Sequence, residues 1–260
     1  MITFCKYHGA GNDFILIDNR EKVFTPTPEK IKFLCHRRFG IGADGLMLLE
    51  EDKNSNFYMH FYNSDGYEGP MCGNGGRCIV AFAHKLGIVR DIAMFNSSDG
   101  IHHAAVKGSG VTLTVNLKLK DVKDVNIGSG YYFLNTGSPH YVQFVENLET
   151  FDVVSEGRRI RHSKLFAPHG TNVNFAEIRG DEILIGTFER GVEDETLACG
   201  TGATATAIAA SIHTNSNKTA YKIRAKGGNL KVNFEKMGVG KYRNIWLEGP
   251  ATLVFEGKIE

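Results

Sequence analysis

The sequence predicts a mixed α/β (α+β) fold of two pseudo-symmetric domains, each a strand-rich, barrel-like sheet around one central buried helix, with a cleft between them. Three observations predict it. Two glycine-rich turns, Cys72-Gly73-Asn74-Gly75-Gly76 and Cys199-Gly200-Thr201-Gly202-Ala203, each carry a cysteine at the head and run into helix-compatible sequence. A marker residue precedes each cysteine by the same 59 residues: Asp13 in HGAGNDFILID and His140 in TGSPHYVQFV. Elsewhere short alternating segments dominate, punctuated by turn residues. Self-similarity at a fixed offset is what a duplicated supersecondary unit leaves in a sequence.

The elements follow in order. Phe14 to Asp18 opens an apolar run that reads as a strand, and HFYNSDG places Asn63 nine residues before Cys72. After Cys72 come Ile79, Val80, Phe82, Ala83, Leu86 and Ile88, with no convincing polar face, so the helix is expected to be buried on all sides. Turn signals at Asn96–Gly100, Lys107–Gly110, Asn126–Gly130 and Arg179–Asp181 separate short strands. The charged stretch LKLKDVKD interrupts the strands and marks the join between domains, expected as 1–117 plus 249–260 and 118–248. In the second half, Tyr141 to Val145 repeats the first strand, and GTFERG repeats HFYNSDG with Glu189 ten residues before Cys199. The alanine-rich run from Ala203 to Ile212 is small enough for a helix hugged by surrounding strands.

Composition excludes several classes. The 260 residues are 42% hydrophobic and 23% charged with net charge +1, and no basic run or acidic tail points to nucleic acid. No signal-like segment or membrane-length apolar stretch occurs, so a cytoplasmic protein is expected. Five cysteines without a signal peptide argue against a disulfide framework, and their spacing fits no zinc pattern. Cys5, Cys35 and Cys78, with apolar or helical neighbours, read as core thiols.

Cys72 and Cys199 do not. A thiol at a helix N-terminus lies in the positive end of the macrodipole, which favours the thiolate, whereas desolvation opposes it. The glycines at 73, 75, 200 and 202 let the backbone approach a ligand, and the helix-terminal amides suit a carboxylate. Two such ends could hold one carboxylate while a thiol approaches the adjacent carbon from each side, one removing a proton and the other returning one. Nucleotide binding lacks its motifs, since there is no Gly-Lys-Ser/Thr and no Gly-x-Gly-x-x-Gly after a strand. A thiol nucleophile with His140 as base leaves the duplicate cysteine idle. A structural repeat with both cysteines as helix caps stays open on these residues alone.

Taken together, the blocks KYHGAGNDFILID, GADG, YNSDG, MCGNGGRC, GSPH, TNVNF, ERG, ETLACGTGA and EGPATLVFEG resemble those of the diaminopimelate epimerases nearly end to end. The resemblance implies interconversion of LL- and meso-2,6-diaminopimelate, a step feeding lysine and peptidoglycan synthesis in bacteria, without pyridoxal phosphate, other cofactor or metal. It implies Cys72 and Cys199 as the acid–base pair. Asn12, Asn63 and Asn172 become substrate contacts, while Gly73–Asn74 and Gly200–Thr201 become amide cradles for the reacting carboxylate. Arg190 suits a bidentate grip on the distal carboxylate and Glu189 a substrate ammonium. His140 would orient or tune Cys199, and a homodimer is expected by analogy.

Two departures stand out. Gly137-Ser138-Pro139-His140 replaces the common Gly-Asn-Pro-His, so Ser138 has a shorter side chain whose hydroxyl can still hydrogen-bond, in an orienting or tuning role beside His140. One extra residue lies between Arg190 and Thr196, expected to bulge that loop away from the cleft. The alternatives are a two-thiol racemase of another amino acid, cationic or of the proline/hydroxyproline type, and a non-catalytic amino-acid-binding protein.

Overall fold

The computed structural model of the chain describes residues 1–259. The chain divides into two compact units, Met1–Leu117 with the closing stretch from Gly249, and Lys118–Glu248.

In unit 1, β1 (Ile2–Gly9) and β2 (Asn12–Asp18) form a hairpin. Its two-residue turn puts Ala10 (φ 54°) and Gly11 (φ 88°) in the left-handed region, which matches the twist of paired strands. Helix α1 (Pro28–Cys35) leads to β3 (Gly45–Glu50), parallel to β2. β4 (Phe57–Asn63) returns antiparallel, and helix α2 (Gly73–Lys85) carries the chain to β5 (Ile92–Ser97), parallel to β4. β6 (Gly100–Lys107) and β7 (Thr112–Lys118) follow antiparallel. The end of the chain's last strand then pairs with both β7 and β1, closing an eight-strand barrel with no open edge.

Residues Asn74–Ala83 of α2 are buried without exception, and the helix packs on β1, β2, β3 and β6. Only a helix enclosed on all sides hides consecutive residues in this way. Its first turn lies tight against the sheet: a Cβ at Gly75 would sit 2.9 Å from the Met47 methyl of β3.

Unit 2 repeats the plan. β8 (Val125–Gly128), β9 (Tyr131–Asn135) and β10 (Pro139–Phe144) are antiparallel neighbours. Helix α3 (Val153–Arg161) leads to β11 (Asn172–Arg179), parallel to β10, and β12 (Glu182–Glu189) returns antiparallel with the short β13 (Asp194–Thr196) on its flank. Helix α4 (Gly200–His213) precedes β14 (Ala220–Ala225), parallel to β12, then β15 (Gly228–Gly238) and β16 (Lys241–Ile259). Gly200 and Gly202–Ser211 of α4 are buried, among them Thr204 and Thr206. The element order of β9 to β15 thus reproduces that of β1 to β6, including a helix between the parallel strands.

Helices α1 and α3, which the sequence pattern did not single out, each cover an outer sheet face with their own small core. Ile31 and Leu34 join Ile15, Ile17, Leu46 and Leu48, while Val153 and Ile160 join Tyr141, Val173, Phe175 and Phe188. Gly157 lets α3 approach, because a Cβ there would lie 2.3 Å from Cβ of Phe188. Cys5, Cys35 and Cys78 are buried as their neighbours predict. No helix among the described residues is long and apolar enough to cross a membrane.

Candidate active site

One end of each sheet gathers the polar residues singled out above. In unit 1 that end comprises the start of β2, the start of β3 and the end of β4, which the parallel β2–β3 and antiparallel β3–β4 registers bring level. In unit 2 it comprises the starts of β10 and β11 and the end of β12, with His140 opposite Asn172.

Cys72 is the N-cap of α2 in extended conformation (φ −91°, ψ 134°), and its carbonyl accepts the first helical bond from the Gly76 amide at 2.7 Å. As at any helix start, the first backbone amides of α2 point away from the body of the helix. The half-buried thiol lies 3.8 Å from Asn12 Oδ1, which also accepts from Asn74 Nδ2 at 3.3 Å. Each amide in this group is oriented by a neighbour of fixed role. Arg77 Nη2 donates to Asn74 Oδ1 at 2.8 Å, so Asn74 must present its nitrogen to Asn12. Asn12 Nδ2 in turn donates to Asp44 Oδ2 at 2.6 Å, leaving its oxygen for the Cys72 side.

Behind them stands a charged network. Arg37 bridges Asp13 (3.0 and 2.7 Å) and Asp44 (2.7 Å), and Lys6 pairs with Asp13 at 2.7 Å while donating to the Gly42 carbonyl. Burial alone would raise the Asp13 carboxyl, but hydrogen bonds and charge from Arg37 and Lys6 outweigh it and hold it well below the usual carboxylate range. Arg77 is fully buried inside α2 and also reaches the carbonyls of Gly73 (3.3 Å) and Pro250 (3.4 Å). Asn63 sits exposed at the end of β4, opposite Gly45.

Cys199 repeats the cap on α4 (φ −116°, ψ 111°), its carbonyl accepting from the Ala203 amide at 2.9 Å. Its half-buried sulfur is 3.5 Å from Thr201 Oγ1. Thr201 Oγ1 is 2.9 Å from His140 Nε2 and 3.3 Å from Ser138 Oγ, which itself lies 3.0 Å from the same imidazole nitrogen. Asn172 Nδ2 donates to Ser138 Oγ and the Pro139 carbonyl, both at 3.1 Å, and its Oδ1 accepts from the Arg190 amide at 2.9 Å. Glu189 Oε2 accepts from Thr196 Oγ1 at 2.9 Å, and Arg190 Nη1 reaches the His169 carbonyl at 3.4 Å. Burial pushes His140 down to about 3, helped by the charge of Arg190. Its imidazole is therefore neutral throughout the physiological range.

The extra residue between Arg190 and Thr196 is absorbed in the β12–β13 hairpin, where Gly191 (φ 96°) and Glu193 (φ 60°) adopt left-handed conformations. The Glu193 carboxylate ties this turn to the end of α3 through Arg161 (3.0 Å) and His162 (3.1 Å).

The other three thiols differ in kind. Burial pushes Cys5 up to about 11, with the charge of Glu256 adding to it, and pushes Cys35 and Cys78 up to about 12. They stay protonated at neutral pH. Three supporting residues, Asp44, Arg77 and Asn174, carried no assignment from sequence. The signal for Arg77 was an arginine inside an otherwise apolar helical run, whereas Asp44 and Asn174 act on partners far away in the chain. No grouping of His, Cys, Asp and Glu among the described residues has the arrangement of a metal site.

A family model described as diaminopimelate epimerase matches residues 4–118 and 132–254. The chain is 51% identical to the diaminopimelate epimerase of Flavobacterium psychrophilum, with 98% of each chain covered. It is 45% identical to that of Chlorobaculum tepidum, covering 96% of this chain and 98% of the relative. Among solved structures, a Bacillus anthracis phenazine biosynthesis protein of the PhzF family superposes with a TM-score of 0.75 at 14% identity, covering 100% and 99% of the two chains. A probable proline racemase from Agrobacterium radiobacter gives 0.71 at 13% identity over 100% and 93%. These two likenesses concern the fold. Similarity at this level across nearly the whole length places the chain in the diaminopimelate epimerase family, a family of isomerases.

Proposed function

We propose that this protein interconverts LL- and meso-2,6-diaminopimelate, with Cys72 and Cys199 as the acid–base pair. One observation carries the reading: of five cysteines, the two that the duplication places at N-caps of enclosed helices are also the two that escape full burial.

The chemistry balances without an electron acceptor. One sulfur, as thiolate, takes the α-proton, so a C–H bond breaks and an S–H bond forms. The other, as thiol, delivers a proton to the opposite face of the same carbon, so the configuration inverts. Charge that develops on the α-carboxylate is met by helix-terminal amides at Gly73–Asn74 and Gly200–Thr201. Such donors cost no reorganisation at the moment of reaction, because the helices are already locked in their sheets.

The distal amino-acid end needs groups for one carboxylate and one ammonium. Arg190 and Glu189, adjacent at the end of β12, supply opposite charges, with Asn172 holding the Arg190 backbone in place. Asn12 and Asn63 complete the polar contacts from unit 1. His140 serves as a neutral orienting group, since a buried imidazole pushed down to about 3 is no proton acceptor at neutral pH. The reading places the enzyme in bacterial lysine and peptidoglycan precursor synthesis, in the cytoplasm, as a homodimer.

Incubation with LL-diaminopimelate followed by chiral separation tests the substrate. Appearance of the meso isomer, approaching the same mixture from either side, is the expected outcome. Inertness towards both isomers with turnover of lysine, ornithine or proline would replace this substrate with another amino acid.

A further inference from the structure

A chain of hydrogen bonds in unit 2 has its direction fixed at one end. Asn174 Nδ2 lies 2.8 Å from the Tyr141 carbonyl oxygen and 3.1 Å from His140 Nδ1, while Asn174 Oδ1 accepts from Thr187 Oγ1 at 3.0 Å. A carbonyl oxygen can only accept, so the end of Asn174 facing Tyr141 is its nitrogen. The same nitrogen faces the imidazole. His140 Nδ1 therefore receives a hydrogen bond and carries no proton, and the neutral ring keeps its proton on Nε2.

The consequences propagate to the sulfur. His140 Nε2–H donates to Thr201 Oγ1 at 2.9 Å, with Ser138 Oγ at 3.0 Å sharing it. Ser138 Oγ already accepts from Asn172 Nδ2, so its own proton is available to Thr201 Oγ1 at 3.3 Å. With both lone pairs of Thr201 Oγ1 engaged, its proton has one acceptor left, Cys199 Sγ at 3.5 Å. A hydrogen bond donated to a thiolate favours the ionised form.

We infer that Asn174 is a positioning residue for Cys199: by fixing the His140 tautomer it turns the Thr201 hydroxyl into a donor to the sulfur. Tight packing supports the assignment. A Cβ at Gly202, in the first turn of α4, would lie 2.4 Å from Asn174 Oδ1 and 3.4 Å from Cys199 Sγ, so the helix start and Asn174 are built around each other. His140 is fully buried, and Arg190 is the charged group whose field reaches it, which keeps the ring neutral while this relay operates. The inference rests on the reading of Cys199 as a proton-transfer group, but its test needs no substrate.

The variant Asn174→Asp replaces the donor to His140 with an acceptor, which draws the imidazole proton to Nδ1. Thr201 then donates to Nε2, and Cys199 loses the Thr201 hydrogen bond. Nitrogen-15 NMR of the histidine rings should show His140 protonated at Nε2 in the wild type and at Nδ1 in the variant. Alkylation of each cysteine, followed against pH by peptide mass spectrometry, should show the Cys199 midpoint rising by about one unit, a tenfold loss of thiolate at neutral pH. Cys72 in the same sample should not move. Thr201→Val provides an independent arm: the Cys199 midpoint rises while the His140 tautomer stays on Nε2. A wild-type His140 protonated at Nδ1, or a Cys199 midpoint unchanged in Thr201→Val, would overturn the assignment. Failure of the protein to epimerise diaminopimelate would overturn the substrate and leave these readouts standing.

Discussion

Cys72 and Cys199 occupy equivalent backbone positions and are supported in different ways. Both cap an enclosed helix in extended conformation, and each has a polar side chain beside its sulfur, Asn12 from the start of β2 for Cys72 and Thr201 from the first turn of α4 for Cys199. Behind Cys72 the support is ionic, running through Asn12 to Asp44, Arg37, Asp13 and Lys6, with the buried Arg77 beneath. Behind Cys199 it is neutral, running through Thr201, Ser138, His140 and Asn174. The duplication preserved the helix end, which positions a thiol and a set of amides. It left the surroundings free to diverge, so two chemically similar groups acquire different electrostatic settings.

The largest effect that would break this comparison is expected at Arg77. Its guanidinium holds Asn74 and two backbone carbonyls inside α2, and Arg77→Ala would leave a cavity and unmet acceptors. A loss of about 3–5 kcal/mol in urea unfolding is expected. A loss below about 1 kcal/mol would mean that the buried charge contributes little to holding the first helix end.

The next effect falls on activity. Asp44→Ala releases Arg37 and the Asn12 amide, and a charged hydrogen bond of this kind is worth about 1.5–3 kcal/mol. Turnover should fall by about tenfold to a hundredfold with the fold intact. Wild-type rates in a folded variant would detach the ionic network from the Cys72 side.

Acid separates the two regions by pH. His140 is held neutral in the fold, at about 3 against about 6.5 unfolded. A group with a depressed folded pKa contributes stability above its unfolded value and loses it as the pH falls, here from about 6.5 towards 3. Asp13 is also depressed, but its unfolded pKa is near 3.9, so its contribution disappears only below about pH 4. Hydrogen exchange on acidification should therefore open peptides around β10 and β11 before those around β1 and β2. His140→Gln should flatten the first pH slope and Asp13→Asn the second; the reverse order of opening would contradict the contrast.

The smallest effect is expected at the β12–β13 turn. Glu193 is partly exposed, and its bonds to Arg161 and His162 are of the surface kind. Glu193→Gln should cost about 0.5–1 kcal/mol in thermal unfolding and leave turnover nearly unchanged.

Much of this arrangement was legible in the sequence because it is local. A glycine-rich turn followed by a long apolar run specifies a buried helix and its cap, and the equal spacing from Asp13 to Cys72 and from His140 to Cys199 exposes the repeat. Helix α1 carried readable start signals in Thr27 and Pro28, but at eight residues it offers too few turns for a clear apolar period. In α3 the central Gly157 reads as a breaker, and its reason, the approach to Phe188, lies on another element. Asp44 and Asn174 could not be singled out for a similar cause. Their partners, Asn12 and His140, are more than thirty residues away in the chain, and a polar residue in or beside a strand looks solvated until the register is known.

If one thiol removes the α-proton and the other returns one, solvent deuterium reports it. Wild-type protein in heavy water, given LL- or meso-diaminopimelate, should place deuterium at the inverted centre as the isomers interconvert. Cys72→Ala and Cys199→Ala should each lower interconversion by about 10²–10⁴-fold or more, since each removes one half of the proposed acid–base pair. Inversion that persists at near wild-type rate in either variant would contradict the two-thiol account.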